Sequence, residues 1–279
     1  MLRSRAKPSG SSIRESIFAI VTGFSDKVVL VTGGSRGLGR SLARAFVRQG
    51  CRVAITSRDA EKLKLAAEEI GEPGFPVLAL SCDIRHKAQV ELLAQELRTR
   101  LGPVQILVNN AGIARAMSFL EMPDSLWDET LKTNLTGAYY CCKAFLPGMI
   151  ESGWGRIINI ASTTAKVGYS HVTAYASSKH GLLGLTRSLA LETARLKITV
   201  NAICPGYIDD ELTRDNARLM AEKTGRPVEE ILALFASSAP QNRLIQTDEI
   251  AALALLLASE ESRGITGQAI NVDGGAVMV

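Results

Sequence analysis

Tyr175-Ala-Ser-Ser-Lys179 sets a phenol and an ammonium four residues apart. In a helical stretch, residues i and i+4 share one face. A free tyrosine titrates near pH 10 and is a poor base at neutrality. A cation about 4 Å away, at an effective dielectric of about 20, contributes about 4 kcal/mol. That brings the phenol roughly three pKa units toward neutrality before desolvation opposes it. Such a group can give a proton in one direction of a reaction and take it in the other. The plain alternative is a helix face with two solvated side chains.

A second chemical feature lies near the start of the chain. Val28-Val29-Leu30-Val31 runs into Thr32-Gly33-Gly34-Ser35-Arg36-Gly37-Leu38-Gly39. A strand that feeds a glycine-rich turn and then a helix makes an anion site, because the helix N-terminus offers unpaired N–H groups. A pyrophosphate is the natural occupant. The G-x-G-x-x-G spacing is not met, and the near-match to a Walker loop lacks its lysine. The next strand ends Ile55-Thr56-Ser57-Arg58-Asp59. A ribose 2′-hydroxyl wants an acid about 20 residues after the turn, whereas a 2′-phosphate wants arginine. Ser57, Arg58 and Arg36 of the turn suit a phosphate and point to NADP(H) over NAD(H). Asp59 can cap the following helix instead.

These residues need a scaffold, and the rest of the sequence supplies one. β-Branched runs recur at 28–32, 52–56, 76–82, 104–108, 156–161, 198–203 and 268–272. Between them the apolar residues take helical spacing, as in Leu38, Leu42, Ala45 and Phe46. Leu63, Ala66, Ala67 and Ile70 do the same, as do Val90, Leu93, Leu97 and Leu101. The alternation predicts an α/β fold of the Rossmann-like, doubly wound type. It would have a seven-stranded parallel sheet with helices on both faces. Ligands of such sheets bind beyond the carboxyl ends of the strands.

Composition agrees with one such domain. Of 279 residues, 46% are hydrophobic and 22% charged, and the formal net charge of +4 is too small to argue for nucleic acid. No stretch approaches the roughly 20 apolar residues that a membrane helix needs. The five cysteines form no C-x-x-C pair, which favours free thiols in a reducing cytoplasm over a disulfide or zinc framework. Residues 1–25 stand apart, with Arg3, Arg5, Lys7 and Arg14 against the single acid Glu15. They read as an extension ahead of a catalytic domain over 26–279. Organellar targeting is the alternative, and the segment shows no clear secretory pattern.

Five motifs in register give the chain its identity as a type. Thr32-Gly33-x-x-x-Gly37-x-Gly39, Asn109-Asn110-Ala111-Gly112, the set Asn134, Ser162, Tyr175 and Lys179, Pro205-Gly206, and Asp83 after the third strand all fall in order. The chain resembles the classical short-chain dehydrogenases/reductases, and among them the 3-oxoacyl reductases, over about residues 27–279. The resemblance implies a catalytic tetrad. Tyr175 would be its acid or base, with Lys179 beside the phenol and the nicotinamide ribose. Ser162 would bond the substrate carbonyl, although Thr163 and Thr164 stand next to it. Asn134 would hold a water in a proton relay. It also implies cofactor contacts at Gly33, Ser35, Arg36, Gly37, Leu38, Gly39, Ser57, Arg58, Asp83, Ile84, Asn110, Ala111, Gly112, Tyr175, Lys179, Pro205, Gly206 and Ile208. Asp83 would face the adenine, and Asn109 would stabilise the sheet.

The sequence departs from the family after Pro205-Gly206. It reads Tyr207-Ile208-Asp209-Asp210, with Asp210 where the family usually has a threonine that touches the cofactor. An acid there would repel a nearby pyrophosphate. Residues 207–241 match the family's substrate lid, broken at Gly225-Arg226-Pro227. Leu212, Leu219, Met220, Ile231, Leu234 and Phe235 are its expected apolar underside. The positions where reductases of carrier-protein substrates tend to show arginine hold Gly153 and Leu196, with Arg195 adjacent. The implied reaction is hydride transfer between NADP(H) and a carbonyl or secondary alcohol, with a small 3-oxoacyl thioester or similar ketone as substrate. Oxidation of a 3-hydroxyacyl-CoA or of a cyclic or secondary alcohol is the alternative. The complete tetrad argues against a non-catalytic NADP(H)-binding regulator. The resemblance also implies a homotetramer or homodimer, with neither nucleic acid nor membrane as partner and no metal.

Overall fold

The computed structural model describes residues 24–279. The expected N-terminal extension falls outside them, except for its last two residues. Phe24 is already buried and meets Phe46 edge-on, with ring centroids 6.2 Å apart.

The chain then alternates. Strand β1 (Val28–Thr32) leads to helix α1 (Gly37–Val47), β2 (Arg52–Ser57), α2 (Ala60–Ile70), β3 (Leu78–Ser81), α3 (Lys87–Arg100) and β4 (Ile106–Asn109). Helix α4 (Asp124–Leu131) passes through a π turn at Lys132–Thr136 into α5 (Gly137–Glu151). Strand β5 (Gly155–Ile160), α6 (Thr173–Thr193), β6 (Ile198–Pro205), α7 (Glu211–Thr224), α8 (Val228–Ser237), α9 (Thr247–Ala258) and β7 (Ala269–Val272) complete it. The seven strands form one parallel sheet in the order β3-β2-β1-β4-β5-β6-β7. The expected edge run 76–82 is shorter here, because Pro76 has no amide to give to a ladder.

Strand β1 shows why the apolar runs are continuous. Val29 and Val31 join a core with Leu42 and Phe46 of α1, Leu63 and Ile70 of α2, and Ile250 and Ala254 of α9. Val28 and Leu30 face the other way, onto Val90, Leu93 and Leu97 of α3 and Cys141, Phe145 and Met149 of α5. Both faces of the strand are therefore out of water, which is the condition for a parallel sheet. All five cysteines are free and buried. Among the described residues, no helix is long and apolar enough to cross a membrane.

The sheet reverses direction of winding between β1 and β4, so a crevice opens at their carboxyl ends. The amino ends carry a different device. Arg156 of β5 is fully buried and donates to the carbonyls of Ser259, Gly155 and Lys197 and to the Glu260 carboxylate. Its guanidinium lies 4.3 Å from the Trp154 ring, and the Lys27 ammonium lies 4.4 Å from the same ring. The guanidinium thus joins β5 to the end of α9 from inside the protein. Arg156→Ala is expected to lower unfolding stability by about 3 kcal/mol, because it strands several buried carbonyls. Glu260→Gln is expected to cost less than about 1 kcal/mol, since that carboxylate is 58% exposed. Urea denaturation of the two variants checks the contrast.

Candidate active site

The glycine turn is held from the neighbouring strand. Thr32 Oγ1 accepts from the amides of Asn110 and Ala111, each at 3.0 Å. Asn110 Nδ2 donates back to the Thr32 carbonyl at 2.9 Å and the Gly33 carbonyl at 3.3 Å. Gly33 has φ +67°, and a Cβ there would meet Ala111 at 2.9 Å. A Cβ on Gly39 would collide with the Gly33 carbonyl. The glycines therefore allow the turn to fold onto the first residues of α1. No acidic side chain occupies the first turn of that helix, and Arg36 provides no side-chain cap. Its amides are free for an anion from elsewhere.

The structure contains such an anion within the chain itself. The Asp210 carboxylate comes up to this end of α1, where the Leu38 amide opposes the upward shift that burial gives it. A Cβ on Gly37 would lie 3.0 Å from Asp210 Oδ2 and 3.1 Å from Glu211 Oε2. These oxygens lie against the turn where glycine leaves room for them, and the same room above the helix N-terminus is what a dinucleotide pyrophosphate requires.

The end of β2 also differs in detail from expectation. Asp59 caps α2, accepting from the Lys62 amide at 3.1 Å. Arg58 and Arg36 are exposed, as a phosphate site requires. Arg36 is paired with Asp215 at 2.8 Å, and Arg58 approaches Glu129 at 4.0 Å. Asp83 already has a partner in Arg85, whose Nε lies 3.0 Å from each carboxylate oxygen. Burial raises the Asp83 carboxyl, but the Arg85 guanidinium and amide outweigh it and hold the group below its ordinary range. Ile84 is buried against Gly137, leaving little of it for a ligand.

The proton-transfer group gathers beyond β5. Ser162 is buried, with its hydroxyl accepting from the Thr164 amide at 3.2 Å. The same hydroxyl lowers the pKa of Tyr175, against the larger effect of burial. Lys179 Nζ lies 5.6 Å from the centre of the Tyr175 ring and donates to the Ile160 carbonyl at 2.7 Å. The i, i+4 pair is thus on one face of α6, as the spacing predicts, with Lys179 buried and Tyr175 half-buried. That changes the electrostatics. Burial dominates over the bond from Ser162 and pushes Tyr175 up to about 12. Burial likewise pushes Lys179 down to about 8. The expected acidification of the phenol by its lysine is not found: loss of hydration dominates, and the lowering that opposes it comes from Ser162.

Asn134 is a buried clamp. Its Oδ1 accepts from the Ile113 amide at 2.9 Å, and its Nδ2 donates to the Ile113 carbonyl at 2.9 Å and to Ser178 Oγ at 3.0 Å. Ser178 in turn donates to the Tyr175 carbonyl at 2.7 Å. The π turn rotates Asn134 inward to make these bonds, which accounts for an amide in the middle of a helix. A Cβ on Gly112 would lie 3.2 Å from Asn134 Oδ1 and 3.7 Å from Lys179 Nζ. Asn134, Gly112 and Lys179 therefore converge. Asn109 bridges strands, donating to Asn159 Oδ1 at 2.8 Å, and Asn159 donates to Thr186 at 2.8 Å.

At the end of β6, Gly206 lies tight against Asp273. Tyr207 stacks on Phe235 of α8, with centroids 4.3 Å apart and rings 3° from parallel. The lid's underside is narrower than expected. Ala217, Ala221 and Ile231 are buried together, while Leu219 and Leu234 are exposed. Asp210 caps α7 by accepting from the Thr213 amide at 3.0 Å. Burial raises its carboxyl, opposed by the amides of Thr213 and Leu38.

Arg85, Ser178, Glu211 and Asp215 join the site without a sequence motif of their own. The acid run Asp209-Asp210-Glu211, in a chain whose phosphate turn carries Arg36 and Arg40, is the signal that would have found the lid contacts.

The family comparison agrees with this geometry. The family model described as short chain dehydrogenase matches residues 27–220. The D-beta-hydroxybutyrate dehydrogenase of Cupriavidus necator is 37% identical over 253 residues, covering 90% of this chain and 98% of that protein. The 3-oxoacyl-acyl-carrier-protein reductase FabG of Salmonella typhimurium is 36% identical over 256 residues, 92% of this chain and 99% of that protein. The solved structure of a variant actinorhodin polyketide ketoreductase with NADPH superposes with a TM-score of 0.86 at 37% identity. It covers 90% of this chain and 97% of that one.

The lysine has a measurable cost. Its folded pKa of about 8 lies below the ordinary 10.5, so the unfolded chain binds more protons between those values. Unfolding free energy from this group therefore rises with pH across that window, and the full penalty applies below pH 8. Lys179→Met is expected to stabilise the protein at pH 7 by up to about 3 kcal/mol. The gain should shrink toward pH 10, and the variant should lose turnover. Urea melts of both proteins at the two pH values read the difference.

Proposed function

The chain belongs to the short-chain dehydrogenase family and is an oxidoreductase, and on that premise we propose that it is an NADP(H)-dependent carbonyl reductase, reversible as a secondary-alcohol dehydrogenase. The observation that carries the reading is the meeting of Ser162, Tyr175 and Lys179 beyond β5, next to a turn that accepts anions. The dinucleotide, when bound, supplies or takes up the hydride. The protein's residues manage the charge and the proton. The Ser162 hydroxyl donates to the substrate oxygen as negative charge develops there. Tyr175, protonated at neutral pH with a pKa of about 12, gives the proton to that oxygen. Lys179, still largely an ammonium at pH 7, faces the phenol ring and stabilises the phenolate left behind. Asn134 positions the Ile113 loop and, through Ser178, the α6 turn that carries Tyr175.

The 2′-phosphate assignment rests on Arg36 and Arg58, both exposed and with no acid at Ser57 to reject it. A 3-oxoacyl thioester or similar ketone is the substrate class, supported by the names of the relatives and by the apolar Tyr207–Phe235 wall. The buried free thiols fit a cytoplasmic setting, and the exposed Tyr139 and Ile150 on α5 and Leu191 on α6 fit association into a dimer or tetramer.

The test follows NADPH absorbance with β-ketoacyl thioesters, diketones and cyclic ketones. Turnover of at least one carbonyl is expected. Tyr175→Phe should cut kcat by about a hundredfold or more while NADPH binding persists. Turnover within tenfold of the native enzyme would refute the role of the phenol. Arg58→Ala should narrow the preference for NADPH over NADH, and an unchanged ratio of dissociation constants removes the phosphate assignment.

A further inference from the structure

Three elements meet at the glycine turn: the turn itself, α1, and the first turn of the lid helix α7. Asp210 and Glu211 bring carboxylate oxygens within 3.0 and 3.1 Å of the position a Gly37 Cβ would take. Asp210 also caps α7, accepting from the Thr213 amide at 3.0 Å, which fixes its carboxylate beside the start of α1. Two ion pairs tie the same elements together. Arg40 meets Glu211 at 3.0 Å, and Arg36 meets Asp215 at 2.8 Å. Arg40 also meets Glu69 of α2 at 2.8 Å, so the lid is connected through it to the sheet's helical layer. Asp215 is shared with Arg218 of its own helix at 2.8 Å.

The amides at the start of α1 have one concave face. Two groups of negative oxygen cannot share it, because both need the same N–H donors and repel each other at that distance. The same competition holds at Arg36, where a 2′-phosphate and the Asp215 carboxylate would use one guanidinium. We infer that the acidic first turn of α7, with Asp210 and Glu211 on the glycine turn and Asp215 on Arg36, is a built-in competitor for the dinucleotide. The nucleotide's phosphates must lift it away to bind. This rests on the dinucleotide reading above and adds its regulation. The lid is latched to the phosphate site before nucleotide arrives, and nucleotide binding is the event that frees it. The apparent dissociation constant is the intrinsic one divided by the fraction of molecules in the unlatched state, so weakening the latch must tighten binding.

The lid cap can be kept while the charge is removed. Asn is as good an N-cap as Asp, so Asp210→Asn preserves the start of α7. Titration of NADPH fluorescence should give a dissociation constant about tenfold lower for Asp210→Asn than for the native chain. Glu211→Gln should move in the same direction by a smaller factor. Inorganic pyrophosphate, which lacks the adenosine and nicotinamide halves, should raise the melting temperature of Asp210→Asn more than that of the native protein. Unchanged or weaker NADPH binding in a folded Asp210→Asn, together with unchanged binding in Glu211→Gln, overturns the latch. If Asp210→Asn does not fold, Glu211→Gln and Asp215→Asn decide it by the same titration. Absence of NADPH binding in the native protein and all variants overturns the dinucleotide reading and the latch with it.

Discussion

The site depends on a cross-brace between two strands. Thr32 ends β1, Asn110 follows β4, and each bonds the other's backbone. Parallel strands that part company at a change of winding would otherwise leave polar backbone exposed in a crevice. The brace satisfies those groups and sets the glycine turn at a fixed distance from Ala111 and Gly112. Gly112 lies beside both Asn134 and Lys179, so the glycine turn and the Tyr175–Lys179 pair are tied to one frame. A deformation at Thr32 would be felt at the phenol.

Away from the brace, the protein spends buried polar groups to keep the sheet in register. Asn109, Asn159 and Thr186 form a chain of amide and hydroxyl bonds from β4 through β5 to α6. The chain runs just beneath Ser162 and Tyr175. Burial makes these bonds directional constraints, because each group has few other partners. The same burial sets the chemistry above them. It holds the proton on Tyr175 and weakens its hold on Lys179. Packing and acid–base behaviour are thus one effect seen at two depths.

The fold was legible because a doubly covered parallel sheet leaves a plain trace. Val28-Val29-Leu30-Val31 must be apolar throughout when alternate residues enter opposite cores. The Tyr175–Lys179 pair and the glycine turn were legible for a similar reason, since spacing along one helix or turn fixes their relation. What the sequence left out depends on distant partners. Nothing near Tyr175 in the chain reveals that desolvation dominates its acidity. Nothing near Asp83 reveals how fully Arg85 engages it, since a two-residue separation allows many geometries. Leu219 and Leu234 follow helical spacing yet stay exposed, because Ala217, Ala221 and Ile231 take the inner face. The likeness to ketoacyl reductases was carried by five local motifs. The acidic contact with the turn is built from residues those motifs do not cover.

Trp154 gives the molecule an optical property. Its indole lies between the Lys27 ammonium and the Arg156 guanidinium, at the amino ends of the strands. Charges so placed shift and quench indole emission. The ring sits at the end of the sheet away from the crevice, whereas the chain's other tryptophan, Trp127, belongs to α4. Loss of the sheet's amino-end packing would therefore change the Trp154 contribution to the emission even if the glycine turn kept its shape.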